Sequence, residues 1–193
     1  NPDITWETVE QLNIGLDFSM LGGMVYGELD WYTKDTKDIL LTLAIPYFIG
    51  LSAPEQNAGV VRNSGIETML GFRKTFGKFS FNTSVNLAYN KNQWIDRGGD
   101  NMNISGWNIQ TEGSPLNAYY IYKADGLIAN DEELAEYKAK YQSDPRGITS
   151  LKAGDVKLVD TNGDGTINAD DRQIFHSNVP KFTFGWNIQG EWN

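Results

Sequence analysis

The sequence predicts an all-β protein: an antiparallel transmembrane β-barrel segment of about five strands, with long extracellular loops and one short helix in a loop. Three observations predict it. Stretches of apolar/polar alternation recur along the chain, their apolar faces are almost free of charge while aromatic residues gather near their ends, and the connections between them alternate between tight turns and long excursions. The 20 glycines, six Trp, nine Tyr and nine Phe among 193 residues suit a chain of strands and turns.

The first strand, about 6–20, sets Leu12, Ile14, Leu16, Phe18 and Met20 against Asn13, Gly15, Asp17 and Ser19. The second, about 25–33, opposes Val25, Leu29 and Trp31 to Tyr26, Glu28, Asp30 and Tyr32. The third, about 65–74, opposes Ile66, Thr68, Leu70 and Phe72 to Glu67, Met69, Gly71 and Arg73, with Met69 as an imperfection. The fourth, 79–90, and the fifth, 182–192, alternate almost cleanly from Phe79 to Tyr89 and from Phe182 to Trp192. Long loops are expected over 34–63 and 91–181, and residues 1–193 read as part of a single barrel domain.

Alternation by itself also fits a soluble sandwich, because both architectures bury one face and wet the other. Strands of this length match a tilted crossing of the hydrocarbon layer. Leu21-Gly22-Gly23 and Thr75-Phe76-Gly77-Lys78 are short turns on one side, and both long links fall on the other, which is the asymmetry of an outer-membrane barrel. Five strands cannot close such a barrel, so further strands are expected from a longer parent chain. The lack of a signal-like start, and an alternation still running at Trp192, point the same way.

Composition excludes several classes. With no cysteine there is no disulfide framework, thiolate site or cysteine nucleophile, and a single histidine leaves multi-histidine zinc sites unbuildable. A formal charge of -9 opposes a phosphate-neutralising nucleic-acid surface. Catalysis has little support: His176 stands in a loop without a recognisable Ser–Asp arrangement, and the consecutive Glu132 and Glu133 diverge on a helix surface.

Several stretches together resemble the SusC/RagA-type TonB-linked outer-membrane transporters. They are Asn1-Pro2-Asp3-Ile4-Thr5-Trp6-Glu7-Thr8, Asn13-Ile14-Gly15-Leu16-Asp17, Arg62-Asn63-Ser64-Gly65-Ile66-Glu67, Glu112-Gly113-Ser114-Pro115-Leu116 and Tyr122-Lys123-Ala124-Asp125-Gly126. Gly154-Asp155-Val156-Lys157 through Asp160-Thr161-Asn162-Gly163-Asp164-Gly165, Asp171-Arg172 and Pro180-Lys181-Phe182-Thr183-Phe184-Gly185 complete the set in the family's order. The resemblance implies a segment from the later part of a barrel of about 22 strands with an N-terminal plug. It also implies uptake of oligosaccharides or peptides across the outer membrane of a Gram-negative bacterium. The energy would come from the TonB complex through parts outside this chain, and a SusD-like surface lipoprotein would cap the mouth.

The sharpest chemical motif is Asp160-Thr161-Asn162-Gly163-Asp164-Gly165-Thr166-Ile167-Asn168-Ala169-Asp170-Asp171. It matches a calcium loop: oxygen side chains from Asp160, Asn162 and Asp164 at positions one, three and five, Gly165 at the sharp turn, the Thr166 carbonyl at seven and Asp171 closing the shell at twelve. Ile167 at position eight would anchor the loop to apolar neighbours, and the shorter Asp171 leaves room for a water, through Asn168. The expected cofactor is a structural Ca²⁺. The other reading is an Asx-rich turn in which the same side chains bond their own backbone.

A short helix from Asn130 or Asp131 to about Gln142 is expected, with Leu134, Tyr137 and Tyr141 on one packing stripe. Trp94, Trp107, Tyr119, Tyr120 and Tyr122 offer flat faces for sugar rings or for packing within the loops, with Trp94, Trp107 and Tyr120 as the substrate-binding candidates. The apolar run Ile39 to Leu51 either packs beneath loops or meets a partner lipoprotein. Asp17, Glu28, Asp30, Glu67 and Arg73 line a wet lumen or plug interface, or neutralise one another. The competing function is a soluble calcium-stabilised carbohydrate-binding β-sandwich; a cell-surface glycosidase is the other.

Overall fold

The computed structural model describes residues 4–42, 50, 52–99 and 102–193. Asn1-Pro2-Asp3 and most of the run from Ile39 to Leu51 lie outside the described residues. The chain divides into two compact units: Asn1–Asn103 with Gln110–Leu116 and Ser177–Asn193, and Ile104–Ile109 with Asn117–His176.

In the first unit, β1 (Thr8–Met20), β2 (Val25–Thr42), β3 (Glu55–Phe76), β4 (Phe79–Arg97) and β11 (Phe182–Trp192) form an antiparallel sheet in the order β1-β2-β3-β4-β11. The register converts the sequence alternation into surfaces. Ile14, Trp31, Ile66, Tyr89 and Phe182 lie side by side in one cross-strand row. The next rows are Leu16, Leu29, Thr68, Leu87, Phe184 and Phe18, Gly27, Leu70, Val85, Trp186. The result is an apolar belt running across all five strands. On β1 the apolar row from Leu12 to Met20 stands about 26 Å tall at ~3.3 Å per residue, the height of a barrel's lipid-facing band. Across the sheet the belt's edge comes at Leu12, whose row turns polar through Thr33, Ser64 and Lys91. Most of the belt's members are uncovered, with Phe184 82% and Trp186 67% exposed.

The opposite face is polar, and aromatic side chains brace it. Tyr26 and Tyr32 on β2 each cross a glycine of β3, Gly71 and Gly65, to which they are register partners. Their hydroxyls donate to Asn82 (3.0 Å) and Asn90 (3.1 Å) on β4. A Cβ on Gly71 would collide with the Tyr26 ring, so a glycine is required there.

Strands β2, β3 and β4 extend well past the expected limits of 33, 65 and 90, and the expected loop 34–63 narrows to the stretch between Thr42 and Glu55. The alternation loses its clean period at the belt's edge, where polar residues such as Asn63, Ser64 and Asn92 outnumber apolar ones and a register shift lies between Val60 and Val61. Ladder hydrogen bonds, pairs such as Arg62 with Asp35 (2.7 and 2.6 Å) and the buried register partners Val61 and Trp94 carry the strands onward. A register shift between Thr36 and Leu40, with Asp38 at φ 59°, bends β2 in this region.

The excursion from β4 to β11, expected as loop, contains its own structure. β5 (Met102–Ser105), β6 (Asn108–Thr111), β7 (Ala118–Tyr122) and β10 (Arg172–Ser177) form a sheet of order β10-β7-β6-β5, and β8 (Ala124–Leu127) pairs with β9 (Val156–Leu158). Strands of three to six residues are too short to leave a period-two signature. Helix α1 (Asp131–Lys140) forms where the capping and dipole signals place it: the Asn130 side chain accepts from Glu133 N (2.9 Å), and Asp131, Glu132 and Glu133 fill the first turn. Its Tyr137 and Tyr141 join Ile128, Leu151 and Ile167 in the second unit's core, with Leu134 packed against it.

Candidate functional site

The second unit's core presents the carboxylate loop. Tyr137 donates to Asp144 (3.1 Å) and accepts from Leu158 N (3.2 Å), while Arg146 grips Asp144 through both its oxygens. Burial pushes the Tyr137 hydroxyl up to about 12. Burial also works to raise Asp144, but the Arg146 hydrogen bonds and charge outweigh it and hold that carboxyl below its ordinary value. Gln142 N donates to Gly165 O (2.9 Å) and Ile167 N to Ser143 O (3.1 Å), fastening the loop to the end of α1. Ile167, 1% exposed, anchors it as its position eight requires.

Within the loop, Asp160 accepts from Gly163 N (2.6 Å) and Gly165 N (2.8 Å). Asp164 accepts from Thr166 N (2.7 Å), and Asn162 both accepts from Asp164 N and donates to its Oδ2. Gly165 adopts φ 80°, the left-handed turn that the calcium pattern demands at position six. Asp171 is wholly buried, and its Oδ1 takes Thr161 N, Thr161 Oγ1 and Asn162 N while Oδ2 takes Asn168 N (2.9 Å). Burial opposes its ionisation, yet these N–H groups win and hold its pKa below the usual carboxylate range. Bidentate closure at position twelve needs both oxygens, and Oδ1 is already saturated. Among the described residues, no three His, Cys, Asp or Glu side chains group as a metal site. Asn168 caps the following 3-10 turn through Asp170 N (2.7 Å).

The aromatic candidates separate. Trp94, on β4, is 4% exposed and lies beneath Arg97, whose guanidinium is 5.0 Å from its ring. A sugar cannot stack there: the expectation for Trp94 is corrected, because the strand continues to Arg97 and encloses the indole. Its Nε1 is buried without an acceptor. Trp107 and Tyr120 are neighbours along the backbone pairing: Tyr120 N donates to Trp107 O (2.7 Å) beside the Asn108–Tyr119 pair. Arg172, which the sequence offered within the Asp171-Arg172 match but not as a site residue, lies over Tyr120 (5.9 Å) and Tyr122 (5.4 Å).

On the first unit's polar face, register sets Asp17 opposite Glu28 and Asp30 opposite Glu67. Arg73 does not serve these acids; it donates to Gly23 O (2.8 Å) and stacks over Tyr26 (5.2 Å).

The family model described as TonB dependent receptor-like, beta-barrel, matches residues 1–193. The chain belongs to this family of TonB-dependent receptors. TonB-dependent receptor P26 of Formosa agariphila is 32% identical over 188 residues, covering 96% of this chain and 19% of that protein. SusC of Bacteroides thetaiotaomicron is 27% identical over 185 residues, covering 91% of this chain and 17% of that protein. The RagAB peptide importer in its open-open state superposes with a TM-score of 0.73 at 22% identity, covering 100% of this chain and 20% of the matched one. That likeness establishes the fold. This chain therefore spans about a fifth of the length of the curated relatives it matches.

Proposed function

We propose that the chain builds part of the wall and outer loops of a TonB-dependent nutrient importer in the outer membrane of a Gram-negative bacterium. This importer takes up oligosaccharides or peptides beneath a SusD-like surface lipoprotein, and the TonB complex energises it through other parts of the protein. The observation that carries the reading is the exposed apolar belt, whose three central rows cross five strands without a charge. Outer-membrane lipid is the solvent that such a belt requires. A soluble sandwich needs a second layer over the same residues, and Phe79, Val85 and Leu87 are exposed. RagAB is described as a peptide importer, which supports the peptide half of the substrate class. Nothing in the reading assigns a catalytic step. The test is fractionation and nutrient uptake with the full-length protein: it should sediment with the outer membrane, and uptake should stop when TonB is deleted. Recovery in the soluble wash fraction refutes the proposal.

A structural Ca²⁺ in the loop is the proposal's second part. The donors that support it are Asp160, Asn162, Asp164 and the Thr166 carbonyl, all hard oxygens at calcium-loop spacing. The carboxylates at 160 and 164 keep lone pairs beyond the hydrogen bonds they accept. Water completes the shell in this arrangement, and Asp171 acts as the buried fastener of the loop.

A further inference from the structure

We propose that Arg172, with Tyr120, Tyr122 and Trp107, forms a subsite for a carboxylate-bearing ligand; this deepens the importer reading and rests on it. In the sheet order β10-β7-β6-β5, Arg172 opens β10 and the two tyrosines stand on the neighbouring β7. Tyr120 and Tyr122, two residues apart on β7, share one face, and Tyr122 also packs against the second unit's core. The sheet order thus sets Arg172, the two tyrosines and Trp107 in that sequence across β10, β7 and the residue preceding β6.

The chemistry follows from how the guanidinium is held. Its central carbon lies 5.9 and 5.4 Å from the two ring centroids, contacts that use the guanidinium's charge and leave its N–H donors available for an acceptor. Among the described residues no hydrogen-bond acceptor or carboxylate pairs with Arg172. The adjacent Asp171, its nearest acid in sequence, is turned into the loop and committed to backbone N–H groups. A planar fork of donors, oriented by its neighbours but unpaired, fits a carboxylate bidentately. Trp107, 68% exposed, supplies an open apolar face beside it for the ring or chain that bears the carboxylate. Residues 91–180 carry a net negative charge, but that field is screened beyond about 10 Å, while the fork acts at contact distance. The ligand group is a sugar-acid carboxylate or a peptide C-terminus, two sources of one chemistry.

The test uses the full-length protein purified in detergent, with R172K, R172Q and W107A beside the unaltered form. Titration calorimetry compares tetragalacturonate with its methyl ester, and a tetrapeptide bearing a free C-terminus with its amide. We expect one pair to show an acid preference of about tenfold or more, lost in R172K, which keeps the charge but not the fork. Binding of the neutral partner should be unchanged in R172K, and W107A should weaken both members of that pair. Preference in the first pair assigns a sugar acid, and preference in the second a peptide terminus. Absence of preference from both pairs in the unaltered protein overturns the proposal, whether or not a variant folds. So does full preference retained in R172K and R172Q. TonB-dependent uptake measured in the same strains separates the two levels: import without carboxylate preference defeats the subsite alone, and absence of import defeats the importer reading.

Discussion

Tyr26 and Asn82 are hydrogen bonded at 3.0 Å although their strands are not neighbours, because Gly71 on the intervening strand leaves a gap that the phenol ring crosses. The bond ties three strands on the polar face without using the ladder. Gly71→Val fills the gap and evicts the ring. We expect this variant to lose about 1–3 kcal/mol, whereas Tyr26→Phe, which keeps the ring and removes the donor, loses about 1 kcal/mol. Urea unfolding of the full-length barrel in detergent measures both.

The belt predicts an asymmetry between adjacent residues of one strand. Leu87→Arg puts a charge among the lipid-facing rows and should cost about 2–4 kcal/mol. Asn86→Arg, one residue away on the polar face, should leave assembly nearly unchanged. Heat-modifiable gel migration of outer-membrane fractions reads the difference, and equal effects at the two positions would remove lipid from the account.

Much of this was legible in the sequence, and the omissions share one cause. Alternation reports a strand only where one face is apolar, so the belt rows from Leu12 to Met20 and from Phe79 to Tyr89 were plain. The extensions to Thr42, from Glu55 and to Arg97 were silent, because their few apolar residues, Val61 and Trp94 among them, keep no regular period where the register shifts. The helix at Asn130 and the anchor at Ile167 were announced by local chemistry, a cap and a loop position. Trp94 was misjudged because its burial depends on Arg97 and on the segment ending in Ser114, whose carbonyl accepts Trp94 N (2.9 Å). Arg172 was overlooked because stacking on tyrosines of another strand leaves no local pattern.

Trp94 gives a prediction of its own. Trp94→Phe keeps an aromatic ring beneath Arg97 and removes a buried N–H that has no acceptor. The lost packing and the relieved donor should nearly offset each other, leaving stability within about 1 kcal/mol of the original. Ligand affinity should not change, since the face is closed; a loss of affinity would restore Trp94 as a contact.

Asp171 makes the second unit acid-sensitive in a definite direction. Its folded pKa lies below the unfolded one, so the stabilisation is fully present above the unfolded value of about 4 and is lost as pH falls through the folded value. Asp171→Asn cannot accept at both former oxygens and should cost about 1–3 kcal/mol at neutral pH. Limited proteolysis between pH 7 and pH 3, cleaving within residues 117–176, follows both effects. Resistance unchanged by the substitution would contradict them.

Calcium is tested apart from that fastener. Asp160→Ala with Asp164→Ala should abolish Ca²⁺ binding by the full-length protein and remove the protease protection that added Ca²⁺ confers on the loop. An identical Ca²⁺ titration before and after the substitutions would leave the loop as a turn closed by its own backbone.

The pairing of Tyr89 with Phe182 makes β4 and β11 neighbours although the whole excursion 98–181 lies between them in sequence. That adjacency is set by the eleven register pairs from Phe182 with Tyr89 to Trp192 with Phe79, none of which draws on residues 98–181. Insertions or deletions within the excursion therefore leave the seam between these two strands in step, so its length is free to vary without a shift in their zipper.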